Sequence, residues 1–429
     1  MSERKNRRRS AVVSISAAAA TEMARSVHAA GSDTIRIALV GCGGRGAGAA
    51  VNALSTRANV KLVAMADAFE EPLNRAHKAI KTQMGDRVDV PRDRRFVGLN
   101  AFRDAIDCDI DVVLLCTPPG FRPDHFEAAV AAGRHVFMEK PVAVDAPGVR
   151  RILETNKVAK KKGLAVAVGH HLRHETKHRE VIQRLQDGIV GRIMFMRAYF
   201  CSSGVWVRRR TEGESEMHYQ IRNWYYFTWL SGDHIVEQHV HDLDVINWLK
   251  NGHPVQAQAM GGRQVRIGKD YGEIFDHHSV EFTYGDGSKL MSLSRHIPNC
   301  WNSFSQHAHG TDGDADIEGH GRSMITVRGK APIVWKRDRD GHQVEQDDLF
   351  AALLAGEPYN EADYGATSTM TAILGRMASY SGKAVTWDDA IASELDLGPK
   401  ELAFDAEAPV YPGSDMIYPC AVPGLTRAW

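Results

Sequence analysis

From residue 34 onward the chain alternates short apolar runs with longer amphipathic stretches. The apolar runs are Ile35–Val40, Val60–Ala66, Asp111–Cys116, His135–Met138 and Leu164–Val168. Between them, Ala47–Leu54, Glu71–Gln83, Phe102–Ile106, Asp124–Ala132 and Ala146–Lys162 carry helical spacing. A short continuous apolar run suits a strand buried on both faces, and strand–helix alternation sets such strands parallel. The pattern predicts an α/β domain over 34–168, a doubly wound parallel sheet of the Rossmann kind.

Beyond Gly169 the rhythm changes. Glu175–Gly188 reads as a helix, Arg192–Phe200 as an alternating strand and residues 232–250 as one helix. Val255–Gly261, Ser279–Tyr284 and Lys289–His296 read as strands. The last two are joined by Gly285-Asp286-Gly287-Ser288, whose residues tolerate the positive φ of a hairpin turn. Leu349–Leu354 and Thr367–Gly382 are helical. This predicts a second, α+β domain over 169–395 with an open antiparallel sheet, followed by a tail at 396–429.

A chain of 429 residues exceeds one ordinary core, in keeping with two domains. Its formal net charge of zero gives no field to attract nucleic acid or an anionic membrane, and no apolar run is long enough to span a bilayer. Cys42, Cys108, Cys116, Cys201, Cys300 and Cys420 form no CxxC pair, so free buried thiols are expected rather than a disulfide framework. Residues 1–33 stand apart. Arg4, Lys5 and Arg7 to Arg9 precede a small-residue apolar stretch, Ser10–Ala20, and Val27-His28-Ala29 resembles a cleavage site. This looks like a twin-arginine export signal and predicts a periplasmic protein; a flexible basic arm is the other reading.

The first candidate chemistry is Gly41-Cys42-Gly43-Gly44-Arg45-Gly46, which follows a strand and opens a helix. Gly41 permits the tight turn, Gly43 lets the backbone approach a pyrophosphate at the helix N-terminus, and Gly46 allows close packing. Asp67 ends the second strand. A carboxylate there accepts hydrogen bonds from an adenosine ribose and repels a 2′-phosphate, which favours NAD over NADP. Arg45 keeps NADP open, since a guanidinium suits phosphate. Glu139-Lys140-Pro141 ends a strand of the same sheet, where a lysine reaches the reactive end of a dinucleotide; a surface pair with Glu139 is the plainer reading.

In the second region, Glu237, His241, Asp244 and Trp248 follow spacings of four, three and four and share one helix face. A carboxylate one turn from a histidine orients the imidazole and raises its basicity, as a general base needs. Gly169-His170-His171-Leu172-Arg173-His174, with His178 four residues on, invites a metal; hydride transfer needs none, so none is expected, and Arg173 with one histidine is assigned to binding. Trp206, Arg208 to Arg210, Arg222, Trp224, Tyr225, Tyr226 and Trp229 suit a carbohydrate, a subunit interface or a core equally well.

Taken together, these segments resemble the Gfo/Idh/MocA oxidoreductases, which include glucose–fructose oxidoreductase and inositol dehydrogenase. Val40–Gly46, Cys116-Thr117-Pro118-Pro119 with His125, Gly133–Pro141 and Glu237–Asp244 carry the resemblance, with Pro358–Glu361, Ser368–Met370 and Thr386-Trp387 near the end. The resemblance implies a large, mostly antiparallel second sheet whose open face makes a homodimer or homotetramer. It adds Gly44, Thr117, Pro118, His125 and Glu139 to the cofactor site. It sets the family lysine on Lys140 and its Asp-x-x-x-His on Glu237 and His241. Glu237 departs from the usual aspartate, and His239 stands where glycine is common, so both crowd the site.

The implied reaction is hydride transfer between a sugar, polyol or glycoside hydroxyl carbon, C3 among them, and NAD, which is either dissociable or tightly held. His241, oriented by Glu237, takes the hydroxyl proton and Lys140 stabilises the oxygen. Arg173, His170, Trp206, Tyr225 and His239 are the substrate contacts. The alternatives are NAD-dependent glycoside cleavage with His239 or His170 as the extra base, aldose–aldose oxidoreduction with a non-dissociating NADP, and a non-enzymatic NAD sensor.

Overall fold

The structure is a computed structural model and describes residues 34–319, 321–336 and 339–429. The arginine-rich N-terminal segment read as an export signal lies outside the described residues.

Six parallel strands form the first sheet: β1 (Ile35–Val40), β2 (Val60–Asp67), β3 (Arg95–Val97), β4 (Val112–Leu115), β5 (His135–Met138) and β6 (Val166–Val168), in the order β3-β2-β1-β4-β5-β6. All four residues of β4 are fully buried, as expected of a central strand with helices on both faces. The order reverses between β1 and β4, so a crevice opens at their carboxyl ends. The helices begin where the local chemistry allows. Asp145, for example, caps helix Ala146–Lys161 by accepting from Gly148 N at 2.8 Å.

Nine strands form the second sheet: β7 (Ile193–Ser202), β8 (Pro254–Gly262), β9 (His277–Tyr284), β10 (Lys289–His296), β11 (Ser303–Gly310), β12 (Gly313–Glu318), β13 (Ser323–Val327), β14 (Ile333–Trp335) and β15 (Val385–Thr386). Their order is β14-β13-β12-β11-β7-β10-β9-β8-β15, antiparallel except for the β7–β10 pair. Burial alternates residue by residue along β9 and β10, so one face is covered and the other open. Helices Val240–Lys250 and Ala362–Ser381 cover the inner face. At the β9–β10 hairpin Gly287 has φ +83°, and Asp286 accepts from the Ser288 amide and hydroxyl.

Three expectations change. The segment 232–250 is two helices, His234–Glu237 and Val240–Lys250, broken at Gln238 and His239. The strands β11 to β14 escape a reading by apolar alternation because Ser303–Gly310 and Gly313–Glu318 are rich in Ser, His, Gly and Asp. The tail is no loose end. Tyr418 is fully buried against Phe227, Arg263 donates to its carbonyl, and Gln220 donates to Val410 O. The chain also returns to the first sheet after the second: Val166 N donates to Tyr359 O and Val168 N to Glu361 Oε2.

The described cysteines are all free. Burial pushes the Cys116 thiol up to about 12, whereas Cys300 is exposed, against the expectation that all would be buried.

Candidate active site

The glycine loop does its work by close approach. Gly41 has φ +93°, and a Cβ there would lie 2.6 Å from the Cys116 carbonyl carbon. A Cβ on Gly46 would lie 1.9 Å from Gly41 O, so only glycine lets the helix start this close to β1. Side chains added at Gly43 or Gly44 would meet no protein atom. Helix Gly44–Leu54 has no side-chain cap and no acid in its first turn. Its free N–H groups face a cleft of about 560 Å³ shared with Asp67, Thr117, Pro118 and His125. An uncapped helix N-terminus over an open glycine surface fits a dinucleotide pyrophosphate.

Asp67 sits at the end of β2. Its Oδ2 accepts from Cys42 N at 2.6 Å and its Oδ1 from Phe69 N at 2.9 Å, so it ties the glycine loop to the following segment. Burial raises its pKa and these backbone bonds work against the rise. Arg45 is engaged by carboxylates of its own cleft. Its Nε lies 2.5 Å from Glu139 Oε1 and its Nη2 is 3.9 Å from Glu345. That engagement removes the argument for NADP. Glu139 is thus a partner of Arg45, not of Lys140. Burial opposes its charge, but Arg45 pulls its pKa below the usual value. Asp67→Asn keeps the shape and loses the charge. The preference for NAD over NADP should fall by roughly tenfold, about 1.4 kcal/mol, in kcat/KM measured with each dinucleotide; an unchanged ratio would assign discrimination elsewhere.

His125 is sandwiched by Phe102, with ring centroids 4.0 Å apart, and its Nδ1 lies 3.1 Å from Thr117 Oγ1. Burial depresses its pKa to about 3, with Arg122 and Arg103 adding to the effect, so it is a neutral hydrogen-bonding wall of the cleft.

A second cavity of about 480 Å³ adjoins the first, sharing Arg45, Cys116, Thr117, Trp206 and Trp224 with it. Lys140, Glu237 and His241 line it, with His171, Tyr225 and His342. Lys140 is buried. Its Nζ donates to Glu237 O at 2.6 Å and to Glu237 Oε1 at 3.1 Å. Two of three ammonium protons are committed, and one is left for a ligand.

Glu237 therefore holds Lys140; it makes no hydrogen bond to His241. The helix break at Gln238 and His239 undoes the continuous face on which the Glu237–His241 pairing rested. His241 is buried, and its ring meets the edge of His171 at 4.8 Å. Its Nδ1 is enclosed without a protein partner, which leaves Nε2 to meet a hydroxyl. Burial, then Lys140 and the two neighbouring histidines, hold its pKa well below the ordinary imidazole value. It is neutral at pH 7, the form a general base requires.

Trp206 and Tyr225 line this cavity. Three other substrate assignments do not hold. Arg173 is locked in a bidentate pair with Asp244, at 2.7 and 2.9 Å, and stacks on Tyr364. His170 is buried beside Asp244, outside the cavity lining. His239 bridges Asp242 at 3.0 Å and Ser292 at 2.6 Å in the core, so it does not crowd the site. With His170 and His239 elsewhere, neither base assigned to glycoside cleavage reaches the cavity. His171, His342 and Gln238 also line it and were not among the expected substrate contacts, and Trp224, which suited a carbohydrate, an interface or a core equally well, lines it too. His171 carried a signal, being one of a pair in a turn where periodicity does not say which faces inward. His342 stacks on His171 at 4.0 Å from a helix, Gly341–Ala355, whose start was not recognised.

Residues 35–170 match the family described as oxidoreductases with an NAD-binding Rossmann fold. Inositol 2-dehydrogenase of Rhizobium meliloti (strain 1021) is 28% identical over 289 residues, covering 66% of this chain and 76% of the relative. Two solved structures share the fold. Aldose–aldose oxidoreductase from Caulobacter crescentus, complexed with glycerol, has a TM-score of 0.66 at 19% identity, covering 82% of this chain and 100% of that one. Levoglucosan dehydrogenase in complex with NADH and levoglucosan has a TM-score of 0.65 at 15% identity, covering 82% and 99%. A glycine loop shaped for a dinucleotide and the parallel six-stranded sheet agree with the match over residues 35–170, which carry the NAD-binding Rossmann domain of the Gfo/Idh/MocA oxidoreductases, and the two-sheet fold is shared with the two solved structures.

Proposed function

We propose that this enzyme oxidises or forms a secondary alcohol on a sugar, polyol or glycoside, with Lys140 and His241 handling the hydroxyl proton. The observation that carries this reading is that Lys140, from the end of β5, and His241, from helix Val240–Lys250, line one cavity beside the dinucleotide cleft. NAD, when bound, supplies the hydride acceptor. In the oxidative direction neutral His241 takes the O–H proton, and Lys140 donates a hydrogen bond to the oxygen as negative charge develops there. In reduction the imidazolium returns the proton. Glu237 keeps the ammonium in place through its carbonyl and carboxylate.

Trp206, Trp224 and Tyr225 present aromatic surface suited to the apolar faces of a sugar ring. The substrates named for the inositol 2-dehydrogenase and levoglucosan dehydrogenase relatives support a hydroxyl-rich ring. The same reading includes export through the N-terminal segment and a homo-oligomer built on the open face of the nine-stranded sheet, near exposed Phe195, Met260 and Trp301.

The test is a panel of sugars, polyols and glycosides with NAD and the full chain, followed by NADH absorbance and mass spectrometry. NADH formation matched one to one by a carbonyl product is expected. Release of free sugar without net NADH would replace this reading with redox-assisted cleavage, and silence across the panel would overturn it.

A further inference from the structure

We propose that Asp233, His234 and His278 bind a divalent transition-metal ion, zinc by its fit to imidazole and carboxylate donors, behind the wall of the active site. All three residues are buried, at 0, 1 and 2% exposure. One donor atom of each lies within 4.8 Å of the other two. Tetrahedral zinc with bonds of about 2.0 Å needs neighbouring donors roughly 3.3 Å apart. His234 is the ring that must rotate to close the set, and no hydrogen bond restrains it.

Hydrogen-bond accounting points to a cation. Ser379 Oγ donates its single proton to Arg376 O at 3.0 Å, and His278 Nδ1 lies 2.8 Å from the same oxygen. With Ser379 accepting from a proton on His278 Nδ1, the Nε2 lone pair is free toward Asp233 Oδ2 at 3.3 Å, the arrangement that a shared metal uses. Placing the proton on either nitrogen of His278 leaves His234 unexplained. Neither ring nitrogen of His234 has a protein hydrogen-bond partner. A metal satisfies both histidines at once.

The surroundings fit a supported ligand set. Asp233 Oδ2 also accepts from Phe275 N at 3.0 Å and Tyr380 OH at 2.6 Å, and Oδ1 accepts from His234 N. Such contacts orient ligands in metal sites. His296 stacks on His234 at 4.5 Å rather than pointing into the cluster, so three protein donors leave a fourth position for water. The ion would tether the turn His234–Glu237 to β9, and with it the Glu237 groups that hold Lys140. Its role is structural, since none of the three residues lines the reaction cavity.

The test uses the full chain prepared without a polyhistidine tag. Elemental analysis after dialysis should find about one zinc per chain. Cobalt exchange should give the visible d–d bands of a low-symmetry site, and chelation should lower Tm. His234→Ala should reduce bound metal at least tenfold while NAD binding, read by tryptophan quenching, is kept. His278→Ala should do the same, whereas His170→Ala should retain the metal. If the wild-type protein takes up no metal under saturating zinc or cobalt, the proposal fails, whatever the variants do. It also fails if His234→Ala and His278→Ala bind cobalt like the parent.

Discussion

Replacing Lys140 with methionine should lower kcat by a thousandfold or more, on the order of 4 kcal/mol of barrier, while leaving NAD bound. The expectation rests on position. Lys140 lines the reaction cavity and has no part in the glycine loop or the Asp67 contacts that fit the dinucleotide. The variant carries a confounding cost. The side chains of Lys140 and Glu237 are 8 and 10% exposed, so removing the cation strands a buried carboxylate. Breaking a buried pair from one side costs roughly 3–5 kcal/mol of stability. The double variant Lys140→Met/Glu237→Gln separates the effects. It should recover most of the lost Tm and none of the turnover. Stopped-flow NADH formation with NAD affinity measured alongside is the readout, and Lys140→Met turnover within tenfold of the parent would remove Lys140 from the chemistry.

His241→Asn should lower kcat/KM by about 10²–10⁴, the usual weight of a positioned general base. The pH profile carries the finer expectation. Burial and the charge of Lys140 depress the His241 pKa below the ordinary imidazole value, and the proposed mechanism needs the neutral ring. The base form is therefore full above the normal histidine range. Activity should fall only as pH drops through the depressed value, so the acid limb of kcat/KM in the parent lies below pH 6.5. That limb should vanish in His241→Asn. An identical limb in both proteins would place the titrating group elsewhere, with Glu345, whose pKa burial and neighbouring Glu139 raise, next in line.

The legibility of the chain differed between its two halves for a physical reason. In the first sheet every strand but the edge strand β3 is short, largely apolar and enclosed, and each follows or precedes a helix, so local pattern and tertiary role coincide; Arg95–Val97, partly exposed at the edge, carries no such pattern and is not readable as a strand. Gly41 and Gly46 were readable because backbone approach at those points admits no side chain. The second sheet hides its strands. β11 and β12 bury Ser305, Gln306, Ala308 and Ala315 with Ile317 as their one large aliphatic, and alternation of polar with small residues resembles a loop. The Gln306 amide nitrogen donates there to Asp242, a partner 64 residues away that no local window contains.

Residue roles in the cleft divide the same way. The sequence by itself determined the dinucleotide loop, the strand that delivers Lys140 to the carboxyl edge of the sheet, and a histidine segment in the second region, because each depends on spacing along one element. Only the tertiary structure decided the partners. Lys140 takes Glu237, Arg45 takes Glu139, Arg173 is spent on Asp244, and His171 rather than His170 or His239 reaches the cavity. Those choices follow from a helix broken at Gln238 and from buried charges that must each find a counterpart across the fold, a constraint that acts in space and leaves no period in the sequence.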